Sequence, residues 1–231
     1  MANEKKHILK SLIPPALFIV LLWLIKLGEI LTHVDLHFLG VYPLKGEGLI
    51  GIITAPLIHG DIKHLSANSV PLFILGACLF YFYKEIALKT TVIIYLISGL
   101  CVWVGGRESW HIGASGLVYG LAGFLFFSGI FRRDNRLLAI TMLVTFLYGG
   151  LVWGVFPDFF PEENISYESH FWGLMTGSIL AFYFRKEGPS RKKYQWEIDE
   201  EIEEELEKME NEKDNGSIYI NYVPPKNQDK Q

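Results

Sequence analysis

The sequence predicts an all-α, polytopic membrane protein of six transmembrane helices. Half of the 231 residues are hydrophobic, with 16 Phe, 11 Tyr and 6 Trp. The apolar residues fall in runs near 20 long, the length that crosses roughly 30 Å of hydrocarbon at about 1.5 Å per residue. Helices are the expected spanning form because they satisfy their backbone groups without water. Lys and Arg are also distributed unevenly. Thirteen of them, from Lys5 to Lys193, fall on one side of the spans, against Lys45, Lys63 and Arg107 on the other. That bias places both termini in the cytoplasm.

The expected order along the chain is a short cytoplasmic N-terminus (1–10), a six-helix membrane domain (11–186) and an acidic cytoplasmic tail (187–231). The spans are read at 11–31, 64–83, 88–105, 113–131, 136–155 and 168–185. The first opens at Ser11 and carries Pro14 and Pro15 in its first turn, where a missing N–H does least harm. It is too long for a signal-peptide core and reads as a retained anchor. Lys26 lies near its outer end, where it can snorkel.

The external connection 32–63 contains Phe38, Tyr42 and the apolar run Leu49–Ile53, and is expected to lie partly in the outer interface. A connection that long is usually functional or partly structured. The connection 156–167, with Pro157, Pro161 and three Phe, reads as a lid. Cys78 and Cys101 sit inside apolar runs as packing residues, not as a disulfide or metal framework. From Glu197 to Asp214 there are 11 acidic residues, with Ile198, Ile202, Leu206 and Met209 at helical spacing. A solvated acidic helix is expected there, ahead of a partner-binding one. After Gly216 the composition is that of a disordered tail. No nucleic-acid partner and no cofactor are expected.

The polar residues of the spans share one depth. Spans 2, 4 and 6 all run from outside to inside. Asn68 stands 16 residues before Lys84, Ser115 17 before Arg132, and His170 15 before Arg185. At helical rise these are about 22–26 Å from the cytoplasmic boundary, a few ångströms below the outer surface. On span 6, His170, Gly173 and Gly177 lie on one face; on span 4, Ser115, Tyr119, Ala122 and Gly123 do. Small faces let membrane helices approach closely, so packing these stripes together brings Ser115 near His170. His64 and Asn68 share a face of span 2.

A serine hydroxyl is a weak nucleophile until a base takes its proton, and histidine can do so near neutral pH. The N–H groups at the start of span 4, with Asn68 and His64, are candidate donors to an oxyanion. No carboxylate falls at this depth, so a Ser–His dyad is the simpler scheme. Singly, each residue has a plainer reading: Ser115 as packing, His170 bonded to a carbonyl, Asn68 as interhelical glue, His59 and His111 as structural hydrogen-bonders. Four histidines on the outer side permit a metal site, but their spacing fits no known pattern and no metal is expected.

Gly113-Ala114-Ser115-Gly116 resembles the GxSG motif of rhomboid intramembrane serine proteases. The run from His170 through Gly173 to Gly177 is similar to their HxxGxxxG element. His59, His64 and Asn68 resemble the paired histidines and asparagine ahead of their second helix, and Tyr119 stands where the family tends to place an aromatic beside the histidine. The resemblance covers about 11–186. It implies a rhomboid-like six-helix bundle that cleaves single-span or otherwise membrane-anchored proteins within the lipid bilayer. It implies Ser115 as nucleophile, His170 as base, and Asn68, His64 and the Ser115 N–H as oxyanion donors, with His59 structural. Gly113, Gly116, Gly123, Gly173 and Gly177 would shape the backbone around the site, and 156–167 would be the gating loop. The first external loop departs from the family, with Ile50-Gly51 near the place of a Trp-Arg pair, and the second span lacks an acidic residue common there. The alternative is a non-proteolytic, rhomboid-like membrane chaperone or adaptor; a metal-dependent hydrolase is a third. The compact six-span form, with no transit peptide, points to a bacterial inner membrane.

Overall fold

Residues 2–147, 166–188 and 195–214 are described by a computed structural model of the chain. The expected lid, 156–165 of its twelve residues, most of the C-terminal half of the fifth span and the tail beyond 214 lie outside the described residues. The chain divides into two units, 1–190 and 191–231.

The first unit is helical, in keeping with its apolar runs. Its helices are α1 (Ala2–Thr32), α2 (Gly51–Thr54), α3 (Ile62–Phe82), α4 (Ala87–Gly105), α5 (Ser115–Arg132), α6 (Asn135–Leu147) and α7 (Tyr167–Tyr183). Four of them, α1, α3, α4 and α5, are long and apolar enough to cross a membrane. The second unit holds α8 (Gln195–Asp214), an acidic helix supported on its surface by pairs such as Lys208 with Glu204.

Helix α1 starts nine residues earlier than the sequence suggests, at Ala2 rather than Ser11, so Pro14 and Pro15 sit in its interior rather than its first turn. Two things extend it. Residues 4–10 are mostly good helix formers. His7 at this early end bonds through Nε2 to the Tyr81 carbonyl at 3.1 Å and packs on the Tyr81 ring. The prolines leave carbonyls unbonded one turn back, and Pro15 packs against Gly76 of α3, where a Cβ would come within 2.9 Å of it.

Helix α5 is the centre of the unit and is buried along most of its length. Its most extensive neighbour is α7; α3, α4 and α6 pack on its other sides, and α1 covers α3 from outside. The core cluster runs through Leu65, Leu72, Leu75, Leu79, Ile94, Leu117, Leu121, Phe124 and Leu125. Leu9, Leu17, Leu24, Leu143 and Ile179 face outward, as expected where lipid is the solvent. Several hydroxyls in these helices bond to the carbonyl four residues back, for example Ser98 to Ile94 at 2.6 Å and Thr141 to Leu137 at 2.7 Å. That satisfies them without water.

The connection between α1 and α3 is structured. It holds three short 3-10 turns, His37–Leu39, Gly46–Leu49 and Ala55–Leu57, around α2. A single antiparallel bridge ties it to the segment before α5: Val41 and His111 exchange N–H···O bonds of 2.9 and 2.8 Å. The Tyr95 hydroxyl donates to the Ile53 carbonyl and Trp103 Nε1 to that of Lys45. Backbones touch at two glycines. A Cβ on Gly48 would lie 2.1 Å from the Tyr42 carbonyl oxygen, and one on Gly51 2.1 Å from that of Gly40. Backbone atoms cannot step aside as a flexible side chain can. Gly51→Ala is therefore expected to destabilise the protein by about 1–3 kcal/mol, the range for overpacking, read as a lower unfolding temperature in detergent. An unchanged midpoint would show that the connection can shift freely.

Candidate active site

Ser115 is the first residue of α5 and is 8% exposed. Two residues before it, Gly113 holds φ +106°, a left-handed conformation that L side chains rarely adopt. A Cβ there would also fall 2.7 Å from Cε1 of His64. Gly113 N–H donates to the Ala55 carbonyl at 2.9 Å and Ala114 N–H to His59 Nε2 at 3.3 Å. The N–H groups of the first helical turn have no carbonyl within the helix to bond and carry the positive end of its dipole. The structure thus sets a serine hydroxyl at a helix start rich in donors.

His170 lies one turn into α7 and is equally buried. The two helices meet backbone to backbone. A Cβ on Gly173 would be 2.1 Å from the Gly116 carbonyl oxygen, and one on Gly177 1.9 Å from that of Gly120. Gly123 faces the Leu174 carbonyl in the same way, at 2.8 Å. At this crossing the Tyr119 and His170 rings stack, with centroids 4.1 Å apart and planes 11° from parallel. Gly116, next to Ser115, faces the carbonyl of Ser169, next to His170. Among the described residues, no hydrogen bond joins the Ser115 hydroxyl to His170. Catalytic hydrogen bonds are often long in the free state and tighten with substrate.

On α3, Asp61 caps the helix start, its carboxylate accepting the His64 N–H at 2.7 Å. That bond holds the Asp61 carboxyl below its usual pKa. The His64 ring rests against Gly113 and meets the His59 ring edge to face at 5.0 Å. Asn68 is buried, and its amide donates to the His64 carbonyl at 3.1 Å within its own helix. His59, His64, Gly113 and the Ser115 helix start are therefore brought together directly, while Asn68 joins them through His64. A cavity of about 30 Å³ lies beside Gly113 and Gly116, lined also by Ala55, Tyr95, Ser98, His111 and Ser169. It has room for about one water molecule.

Gly120 and the partners of His111 and Lys26 were not read from the sequence, although His111 was expected as a structural hydrogen-bonder. Gly120 belongs to the contact stripe of α5; its spacing from Gly116, four residues, was the available signal. His111, buried at 3% exposure, ties the segment before α5 to the start of α7. Its Nε2 bonds to the Arg107 carbonyl at 3.0 Å, so Nε2 carries the proton and Nδ1 accepts from the Ser166 hydroxyl at 2.6 Å. Glu168 meets Arg107 at 3.6 Å beside it. Lys26, expected to snorkel, is instead fixed on the carbonyls of His59 and Gly60. Among the described residues, no group of three or more His, Cys, Asp or Glu is placed to hold a metal ion.

Burial pushes the His59 pKa from 6.5 down to about 3, helped by the neighbouring His64. The unfolded chain therefore takes up this proton first as pH falls. The stability tied to neutral His59 is complete above about pH 6.5 and is lost as pH falls toward about 3. His59→Gln can still accept the Ala114 N–H but cannot titrate. Its unfolding temperature in detergent is expected to fall less steeply than the wild type's between pH 6.5 and 4. Parallel slopes would remove His59 from the acid response.

A family model for the Rhomboid domain matches residues 46–187. An uncharacterized protein of Mycobacterium tuberculosis is 35% identical over 181 residues, covering 76% of this chain and 75% of its own length. A Mycobacterium leprae protein, also uncharacterized, is 32% identical over 181 residues, 76% of this chain and 71% of its own. A Bacillus subtilis protein named provisionally as a rhomboid protease is 28% identical over 139 residues, 57% of this chain and 65% of its own. The matched segment takes in the glycine-lined crossing of α5 and α7 and the histidines packed at its end, and this integral membrane protein belongs to the rhomboid family.

Proposed function

We propose that the chain is an intramembrane serine endopeptidase that cleaves single-span or otherwise membrane-anchored proteins, with Ser115 as nucleophile and His170 as general base. The observation that carries this reading is the crossing of α5 and α7. Glycines there let the backbones touch, and Tyr119 stacks flat on His170 on the side of the helix that bears Ser115. A histidine held against an aromatic ring loses rotational freedom, which suits a base that must meet one hydroxyl.

In the proposed reaction, His170 takes the proton from Ser115 Oγ as Oγ bonds to the scissile carbonyl carbon. The carbonyl oxygen becomes an oxyanion, met by the Ser115 N–H and the side chains of His64 and Asn68. The Asn68 amide carries a second hydrogen for this, while the first stays on the His64 carbonyl. Collapse breaks the C–N bond, and the leaving amine takes the proton from His170. Water then attacks the acyl-enzyme, giving a proton to His170, which returns it to Ser115 Oγ as the acid product departs. Donors fixed before the reaction stabilise the oxyanion without reorganising. His59 holds the Ala114 N–H and is structural.

The scheme places residues 1–10 and the tail 187–231 in the cytoplasm and the site toward the outer leaflet, on the strength of the thirteen-to-three distribution of basic residues, and the compact six-span form carries the reading of a bacterial inner membrane. Purified protein is expected to cleave a single-span substrate in detergent. Ser115→Ala and His170→Ala should each lower kcat by about a thousandfold or more. A fluorophosphonate should label the wild type and not Ser115→Ala. Undiminished cleavage by Ser115→Ala would sink the proposal, and absence of both cleavage and labelling would favour the adaptor reading.

A further inference from the structure

Between Ser11 and Thr32 the only charged residues of α1 are Lys26 and Glu29. Charge in an apolar segment is expensive unless it is partnered, and it usually has a task there. The two form a pair at 3.0 Å, with side chains only 13% and 8% exposed. Lys26 Nζ also donates to the carbonyls of His59 at 2.8 Å and Gly60 at 3.0 Å. Each of the three ammonium hydrogens thus has an acceptor. The second Glu29 oxygen accepts the Leu36 N–H at 3.1 Å. The pair therefore grips both ends of the connection from α1 to α3, at Leu36 and at residues 59–60.

We infer that Lys26, braced by Glu29, is a positioning residue for the proposed proteolysis: it fixes the turn at His59 and Gly60, and through that turn the start of α5. The inference rests on the proteolytic reading given above. Lys26 reaches no reacting atom. Its hold passes through named contacts. His59 accepts the Ala114 N–H, one residue before Ser115. The His59 ring supports the His64 ring, which packs on Gly113. Asp61, next to Gly60, caps α3 and orients the His64 backbone. Releasing Lys26 frees the turn that sets both histidines and, through them, Gly113 and Ala114, the two residues before Ser115. Elsewhere α1 bonds to α3 through His7 Nε2 on the Tyr81 carbonyl and Trp23 Nε1 on Ser69 Oγ, and neither bond reaches the turn at His59 and Gly60. A compact ammonium with three rotatable donors suits two carbonyls and a carboxylate better than a planar guanidinium does.

The test is Lys26→Met/Glu29→Gln, which removes both charges together and leaves none unpaired in the apolar segment. Three quantities are measured on the full chain in detergent: kcat and KM for a single-span substrate, the rate of Ser115 labelling by a fluorophosphonate, and the unfolding temperature. The expected result is a loss of about tenfold or more in both kcat and labelling rate, the scale of a misplaced catalytic group, with KM within about twofold. Retention of both rates within about twofold overturns the inference. So does a loss matched by an equal loss of folded protein, because that is a structural role. If the double variant does not fold, Lys26→Gln is judged by the same readings. A wild type that neither cleaves nor labels overturns the proteolytic reading and this inference with it. A wild type that cleaves, equalled by the variant, overturns the inference alone.

Discussion

Everything near Ser115 depends on two helix backbones touching. In a bilayer the apolar side chains gain nothing by leaving lipid for one another, so helices associate through close packing and hydrogen bonds. Gly116 and Gly120 on α5, with Gly173 and Gly177 on α7, remove the side chains that would hold the axes at the usual 8–10 Å. The crossing is then fixed by hard contacts between carbonyl oxygens and α-carbons. Such contacts leave little freedom to slide, because one residue of shift would bring a Cβ onto an oxygen. Ser115 and His170 each lie beside this contact, so their relative position is set by backbone, the stiffest part of either helix. Tyr119 adds the last constraint, holding the imidazole by stacking.

The start of α5 is fixed from the opposite side by the connection preceding α3. Gly113 and Ala114 donate to Ala55 and His59, and His111 pairs with Val41. These bonds anchor an irregular segment that would otherwise expose backbone groups at membrane depth, where each unsatisfied group costs several kcal/mol. The same bonds hold Gly113 in the left-handed region that starts the helix at Ser115 rather than two residues earlier, where the apolar run begins. Order in this connection is thus a condition for the site and not an accessory to it.

The helices and the crossing were legible in the sequence because they rest on side-chain type. Apolar runs mark spans, and glycines at intervals of three and four mark a face. Ser115, Tyr119, His170, Gly173 and Gly177 could be placed together from spacing alone. What was not legible rests on backbone atoms, which leave no mark in the composition. Nothing in the string shows that Lys26 faces the carbonyls of His59 and Gly60, or that Val41 pairs with His111. The start of α1 was misjudged for a related reason. Two consecutive prolines suggest a first turn, but His7 on Tyr81 and Pro15 on Gly76 hold the helix together on both sides of them.

Charge placement connects these observations. Two ion pairs flank the site, the half-buried Lys26 with Glu29 and the exposed Arg107 with the half-buried Glu168. Both pairs bond to backbone as well, Lys26 to two carbonyls and Glu168 to the Arg107 N–H. The described groups packed at the helix start are imidazoles, an amide and backbone N–H groups. Under the proposed chemistry this matters, because the oxyanion forms where the dielectric is low and a nearby carboxylate would oppose it. The flat stack of Tyr119 on His170 helps to orient the imidazole without adding charge.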